Sequence, residues 1–567
     1  MLLCLYFIRP AFAWFNGQGG GHDWGAQTFY LEAAVRPVLD HGRRPVWNPW
    51  YGGGLPQAAN PQVKLYTPTW FFALAFGSLA AHKIAVIFYY LLGAWSMVFL
   101  LRSVLRLRPW AALAGTVVYV FAGSIPLRVI AGHSTFLCIL IYPLVIALFL
   151  LCLRARGTGA VLYGFAAAMV LSVMYGEGYP SVMLFLPGAG FALLAFSLAR
   201  RDARLLLRGG LVLIMFAVLA AHRLVPQIEY MAGPGAFRFP DLSSLSPDAL
   251  RAIFLDAVSD PAARKWVGQK YLWWEYGTYI GAVPVLSAAA LLVFTRRRHL
   301  PLIATLVFIL ALTMGPFAFW SPATQLSRLP LYENLRAWAR FSMPALMCGA
   351  VLYALLLHRG LVLAQRYRFA RRAAPFLAAI LVLWSFYDLN IINGRKLKNV
   401  FTLSIPGGAP SPRLETIARL PSYGSGSAML PAMRRNLSTR DAYEMLKSNR
   451  SAVARGEENY RGEFFLKAMG RAITPRREYP DRLEFDFILK QGDTLVLNRN
   501  WSPHARVTTG QLPSNENGLI GVELAPGRHR FAVYHGDGWT AWLLYLSAAL
   551  HGLLLILTGI TLRARRT

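Results

Sequence analysis

The residues nearest the start of the chain that could act on a substrate stand together as Gly19-Gly20-Gly21-His22-Asp23, directly after an apolar stretch. A carboxylate at a membrane face can take the proton from a hydroxyl as that hydroxyl attacks an activated sugar carbon. Inverting transfer needs one such base opposite the leaving group. If the leaving group is a phosphate, cationic side chains must hold it, and an embedded acid is less necessary. Asp23 is therefore the candidate general base. Its competing reading is a helix N-cap behind a glycine hinge. His22 is a candidate substrate contact. A lone His–Asp pair does not specify a metal site, so no ligand set is assigned, although a divalent ion is left open.

Candidate cations lie far along the chain. Arg336 and Arg340 are four residues apart, the spacing of one helical face, just before an apolar run. Arginines on the outer side run against the positive-inside trend, and a lipid phosphate is a natural partner; a pair with Glu333 or general head-group contact is the alternative. Lys64 and Arg128 are further candidates for phosphate. Glu177, in Tyr175-Gly176-Glu177-Gly178-Tyr179, sits in a very short turn near the membrane, where a carboxylate is costly unless paired or functional. It reads as a sugar contact or as a helix cap. Glu32 reads as a contact or a solvated face residue, His133 as a possible site member. Asp40, before His41-Gly42, reads as a turn or C-cap, and Trp273, Trp274 and Tyr276 as an interfacial belt.

The elements that must position these groups follow from composition. Of 567 residues, 56% are hydrophobic and 15% charged, with a mean hydropathy of +0.41. Soluble domains carry roughly 25% charged residues. Long apolar runs predict twelve spans, at 1–15, 83–101, 110–127, 135–153, 159–175, 180–198, 207–224, 274–294, 300–318, 341–358, 374–391 and 539–561. With that count, the arginine clusters at 102–108, 154–156, 200–208, 296–298, 359–372 and 563–566 all fall on one side, the cytoplasm. The run Tyr66–Leu79 is too short to cross and reads as an interfacial helix. Residues 1–15 are read as a shortened first span, with a signal peptide or a mis-assigned start as alternatives.

Four outer segments remain, at 16–82, 225–273, 319–340 and 392–538. The last mixes irregular sequence, with a helical piece expected near Arg440–Lys447, and a region 481–535 that alternates like strands. The expected fold is mainly α: a polytopic transmembrane bundle over 1–391, an extracytoplasmic domain of α+β or β-sandwich type over 392–538, and a last span with a basic tail over 539–567. The net charge of +31 is dispersed in the loop clusters, not in an aromatic-interleaved stripe, so nucleic acid is not an expected partner. The four cysteines lie in apolar runs and predict no disulfide framework.

The pattern His22-Asp23-Trp24, Leu39-Asp40-His41-Gly42, Pro45, Trp47-Asn48-Pro49, Gly54, Pro56, and Tyr66 with Pro68 resembles the first outer loop of bacterial YfhO-like membrane proteins. These are similar to the GT-C class of polyprenyl-phosphate-sugar-dependent glycosyltransferases. Gly132-His133, Tyr332–Phe341 and the tail with Trp501-Ser502-Pro503-His504 fit the same order, although Thr67 and the degenerate tail motif depart from the family pattern. The resemblance covers nearly the whole chain. It implies a catalytic Asp23, substrate contacts that include Trp47, Asn48 and Tyr66, a polyprenyl-phosphate-linked sugar donor, membrane lipids as partners, and a glycan, polymer, lipid or protein acceptor. It also implies a bacterial inner-membrane location with an outward-facing site. The rival readings are a lipid-linked-glycan transporter or flippase, and a non-catalytic cell-envelope assembly protein. A transporter should carry charged residues within its spans and broken helices.

Overall fold

The computed structural model describes residues 1–15, 17–232, 243–258, 270–329, 332–333, 335–405, 411, 413–418, 428–440, 451–536, 538 and 540–564. Among the described residues, eight helices are long and apolar enough to cross a membrane: Ser78–Val104, Pro109–Ala131, Ser134–Arg154, Thr158–Glu177, Tyr179–Arg200, Arg204–Tyr230, Trp338–Ala364 and Arg368–Leu397. The protein is a multi-pass membrane protein. Each helix matches an expected span, extended by a few residues at its ends.

Of the other four expected spans, the last is met by a continuous helix and three take different forms. Residues 1–15 form a short helix, Leu2–Phe7, and a 3-10 segment, Arg9–Trp14, because Pro10 ends the first. The stretch 274–294 is not continuous: a 3-10 turn at Trp273–Glu275 precedes backbone without regular structure, and the helix begins only after Gly281. Leu300–Thr313 has 14 residues, fewer than the roughly 20 a perpendicular crossing needs. The last helix runs Thr540–Ala564. Pro68–Phe76 is a separate nine-residue helix, too short to cross.

The C-terminal region is β-rich. One sheet has the order Ser514–Glu516, Leu519–Leu524, Asp493–Asn500, Phe464–Leu466; the other Ala505–Val507, Gly527–His535, Arg482–Leu489, Arg477–Tyr479. All pairings in both are antiparallel. Alternation along Arg482-Leu483-Glu484-Phe485 turns Leu483 and Phe485 into a core shared with Leu495, Ile520 and Phe531. The helix expected near Arg440–Lys447 lies, past Arg440, outside the described residues.

This domain clamps the first long loop, the one that follows residues 1–15. Glycines 52 to 54 all have positive φ (57, 85 and 113°), letting the backbone meet Asn500. The Asn500 amide donates to the Gly52 and Gly54 carbonyls at 2.7 and 3.0 Å. Arg43 makes a two-pronged pair with Asp481, both contacts 2.8 Å. The Glu32 carboxylate accepts from Arg434 at 2.9 Å and from Ser78 at 2.9 Å. A second lock comes from within the helices. Arg223, 1% exposed, donates to the carbonyls of Gln57, Ala58, Asn60 and Val63 at 2.6–3.3 Å.

Replacing Arg223 strands those buried acceptors, each costing roughly 1–3 kcal/mol. Arg223→Met should destabilise the protein by about 3 kcal/mol in detergent unfolding, whereas Arg204→Met, at an exposed helix start, should change it little.

Candidate active site

Asp23 occupies the N-cap position of the helix Trp24–His41, as one reading expected, but its side chain makes no cap bond to that helix. The backbone fixes its place. Helix Ser124–Ala131 ends at Gly132, whose φ of +79° is left-handed. The Asp23 amide donates to the Ala131 carbonyl at 3.1 Å, and the Trp24 indole donates to Val129 at 2.7 Å. A Cβ on Gly132 would lie 2.3 Å from the Trp24 nitrogen, so glycine permits this approach. His133 follows and faces Asp23.

The side chains form a chain of contacts. His133 Nε2 lies 3.1 Å from Asp23 Oδ2. Its Nδ1 lies 3.2 Å from an Arg128 terminal nitrogen and 3.6 Å from Glu275 Oε1. A guanidinium can only donate, so Nδ1 accepts, and a neutral imidazole then carries its proton on Nε2, aimed at Asp23. Arg128 pairs with the Glu275 carboxylate and donates to the Glu275 carbonyl at 2.9 Å. Arg340 grips the same carboxylate with two contacts, 2.8 and 2.9 Å. The guanidinium carbons of Arg128 and Arg340 lie 5.0 and 5.1 Å from the Phe136 ring centre. Side-chain exposure rises from 2% at Arg128 and 8% at Glu275 to 15% at His133, 18% at Arg340 and 21% at Asp23, so the acid and Arg340 form the outer face of a buried ion cluster.

Burial alone would raise the Glu275 carboxyl, but Arg128, Arg340 and His133 more than offset it and hold it well below the usual carboxylate range. Among the described residues, no group of three or more His, Cys, Asp or Glu side chains is arranged to hold a metal ion.

The cluster unites Asp23, His133, Arg128 and Arg340 from the sequence candidates. Arg336 is not on one helical face with Arg340: Ala337 has a φ of +53°, helical turns start only at Trp338, and Arg336 is exposed. Lys64 and Glu177 are buried together instead, 3.6 Å apart and each 2% exposed. Glu177 also accepts from the Thr69 amide and hydroxyl, both at 2.8 Å, capping helix Pro68–Phe76 from another helix's end. Burial lowers the Lys64 ammonium pKa, against the opposing pull of Glu177. Glu32 is engaged by Arg434, and Trp47 stacks on His535 with ring centres 3.6 Å apart. Asn48 accepts from the Trp50 amide. Tyr66, at φ +58°, packs edge-on to Trp70. His22 lies 4.8 Å from Trp274, ring to ring, beside the cluster. Glu275 was missed in the sequence. Its signal was a single acid inside an otherwise aromatic stretch at a membrane boundary.

No protein-family model and no curated protein matches the chain. Eleven chains among solved structures do. The arabinofuranosyltransferase AftD from Mycobacteria aligns over 78% of this chain with a TM-score of 0.50 and 14% identity, but this chain spans only 31% of AftD. ArnT from Cupriavidus metallidurans aligns over 77% of this chain and 84% of its own, with a TM-score of 0.46 and 14% identity in the apo state. Its undecaprenyl phosphate-bound structure gives 0.43, 13%, 77% and 85%. The fold is of the GT-C type, a helical membrane module with a β-rich C-terminal domain.

Glu275→Gln should destabilise the protein at pH 7 by about 3–5 kcal/mol, because two buried guanidiniums lose their shared counter-charge. The carboxyl is depressed in the folded state, so its stabilisation is full above the unfolded value near ~4.3 and is lost as pH falls toward the folded one. Melts of both proteins between pH 7 and 3 should therefore show the gap narrowing below about pH 4; a gap that stays constant contradicts the assignment.

Proposed function

We propose that the protein is a membrane glycosyltransferase that moves a sugar from a polyprenyl-phosphate donor to an acceptor hydroxyl, with inversion, on the outer face of the bacterial inner membrane. The observation that carries this reading is the pairing of Asp23 with His133 in one cluster with Arg340. Asp23, oriented by the His133 N–H, takes the acceptor proton. The freed oxygen forms a bond to the anomeric carbon as the bond to the donor phosphate breaks. The proton passes from Asp23 to water, and the carrier leaves as polyprenyl phosphate. Arg340 faces the developing negative charge on that phosphate.

The sidedness rests on the arginine clusters of the loops, which the positive-inside trend assigns to the cytoplasm. The sequence motifs support kinship with YfhO-like proteins, and the GT-C fold is compatible with it. AftD, which shares the fold, is an arabinofuranosyltransferase.

Purified protein incubated with polyprenyl-phosphate sugars and candidate acceptors should release the carrier. Asp23→Asn should fold normally and lose about 10²–10⁴-fold of the rate, the usual contribution of a general base. Full transfer by Asp23→Asn would remove Asp23 from the chemistry.

A further inference from the structure

At the other end of Pro109–Ala131 from Arg128 lies a cavity of about 400 Å³, where Arg102, Arg106 and Arg108 meet Leu107, Trp110 and Leu361. Its volume falls within the ordinary range of ligand pockets. A departure from regular helix builds it. Helix Ser78–Val98 passes into a wider π-helical turn at Phe99–Val104. The Leu105 amide then donates to the Leu100 carbonyl and the Leu107 amide to the Leu101 carbonyl, both at 2.8 Å. Arg106 takes a left-handed φ of +57°, and Pro109 starts the next helix. The three guanidiniums thereby reach one cavity instead of spreading round a helix.

No acid balances this charge. The segments 99–110, 292–301 and 350–376, which meet at this end, contain no Asp or Glu. Among the described residues, the arginines that form ion pairs all lie elsewhere. Arg102 spends one terminal nitrogen on the Leu107 carbonyl. The Arg108 amide donates to His358 Nδ1 at 3.0 Å and fixes the backbone beside the cavity, which leaves its guanidinium free to turn inward. More positive charge stands behind: Arg298 is within electrostatic reach of His358, and Arg296 and Arg298 of Arg359. Like charges gathered in this way repel, and a bound anion relieves the repulsion. Guanidinium forks match the oxygens of a phosphate. The walls decide which phosphate. Leu361 and Pro375 belong to the apolar helices Trp338–Ala364 and Arg368–Leu397. Phe376 and Leu377 carry on from Pro375 as carbon surface, 68% and 57% exposed. All four helices that border the cavity are candidate membrane spans, and the cavity lies near their ends, at the level of lipid head groups. Acyl chains can cover that carbon; a soluble phosphate cannot.

We propose that this cavity holds the phosphate of one anionic glycerophospholipid, gripped by Arg106 and Arg108, with its acyl chains on the surface at Pro375–Leu377. It is a built site, distinct from the diffuse attraction of a basic membrane face. It is also separate from the Asp23 cluster and does not depend on the transfer reaction.

The test uses the full chain, purified in detergent, with phosphatidylglycerol as probe and native mass spectrometry and thermal shift as readouts. One phosphatidylglycerol should stay bound under activation that strips phosphatidylcholine. It should also raise the melting temperature where sn-glycerol 3-phosphate at the same concentration does not. Arg106→Gln with Arg108→Gln should weaken phosphatidylglycerol binding at least tenfold. Its melting temperature without lipid should hold or rise, because like charges are removed. If that double variant fails to fold, Arg106→Gln alone decides, since this side chain is exposed; binding should weaken at least threefold. Arg200→Gln with Arg204→Gln removes as much charge from exposed positions in another cluster and should leave binding within twofold of the parent. Asp23→Asn should bind as the parent does. Equal retention of phosphatidylglycerol and phosphatidylcholine overturns the proposal. So does an equal loss of phosphatidylglycerol in the two double variants, which would mean diffuse attraction only. A shift with glycerol 3-phosphate as large as with the lipid overturns the lipid part.

Discussion

Charge buried inside a membrane protein is tolerated only when it is paired, and the Glu275 carboxylate between Arg128 and Arg340 is the clearest case here. The pairing joins three distant parts of the chain. Arg128 comes from the C-terminal part of Pro109–Ala131, beyond its break, Glu275 from the turn Trp273–Glu275, and Arg340 from the start of Trp338–Ala364. Each element must end where it does for the charges to meet. The first breaks at Ala122, where ψ swings to 159°, and the next residue, Gly123, donates its amide to the Tyr279 carbonyl at 2.9 Å, tying that helix to the backbone just beyond Glu275. His133 then extends the network outward to Asp23, so the candidate base is anchored to an element that cannot shift without unpairing a buried ion. Precise placement of this kind is what general-base chemistry requires.

The β-domain constrains the same loop from outside. Asn500, Asp481 and Arg434 hold the first long loop by backbone and charge contacts, while Arg223 holds it from the helices. The helix that begins at Trp24 is therefore fixed at its start by the Ala131 and Val129 carbonyls and along its length by the domain. Loops that carry function are commonly the most mobile part of a protein; here the loop is stapled on two sides.

Much of this was legible in the sequence because it is written locally. Hydropathy located eight helices to within a few residues, and period-two alternation located the long strands Arg482–Leu489, Asp493–Asn500 and Gly527–His535. What was lost depends on conformation or on distant partners. The stretch 274–294 has the composition of a span, but its first residues form no regular helix and Gly281, at φ +84°, delays the helix to Ala282. Spacing put Arg336 and Arg340 on one face only by assuming helix, and the left-handed Ala337 breaks that assumption. Lys64 and Glu177 each looked like a ligand contact because nothing local reveals that residues 113 positions apart are partners. Glu275 was masked by its aromatic neighbours. Asp23 and His133 were visible singly; their contact was not, because it needs the left-handed turn at Gly132.

The exposed face formed by Asp23 and Arg340 is the proposed seat of the donor phosphate. A cryo-EM structure of the protein in nanodiscs with polyprenyl phosphate tests it most directly. The account predicts phosphate density within hydrogen-bonding distance of the Arg340 guanidinium, on the side where Asp23 opens outward, with the Glu275 pairing retained behind it. Density seated elsewhere, with the Asp23–Arg340 face closed off from it by packed side chains, would contradict the account.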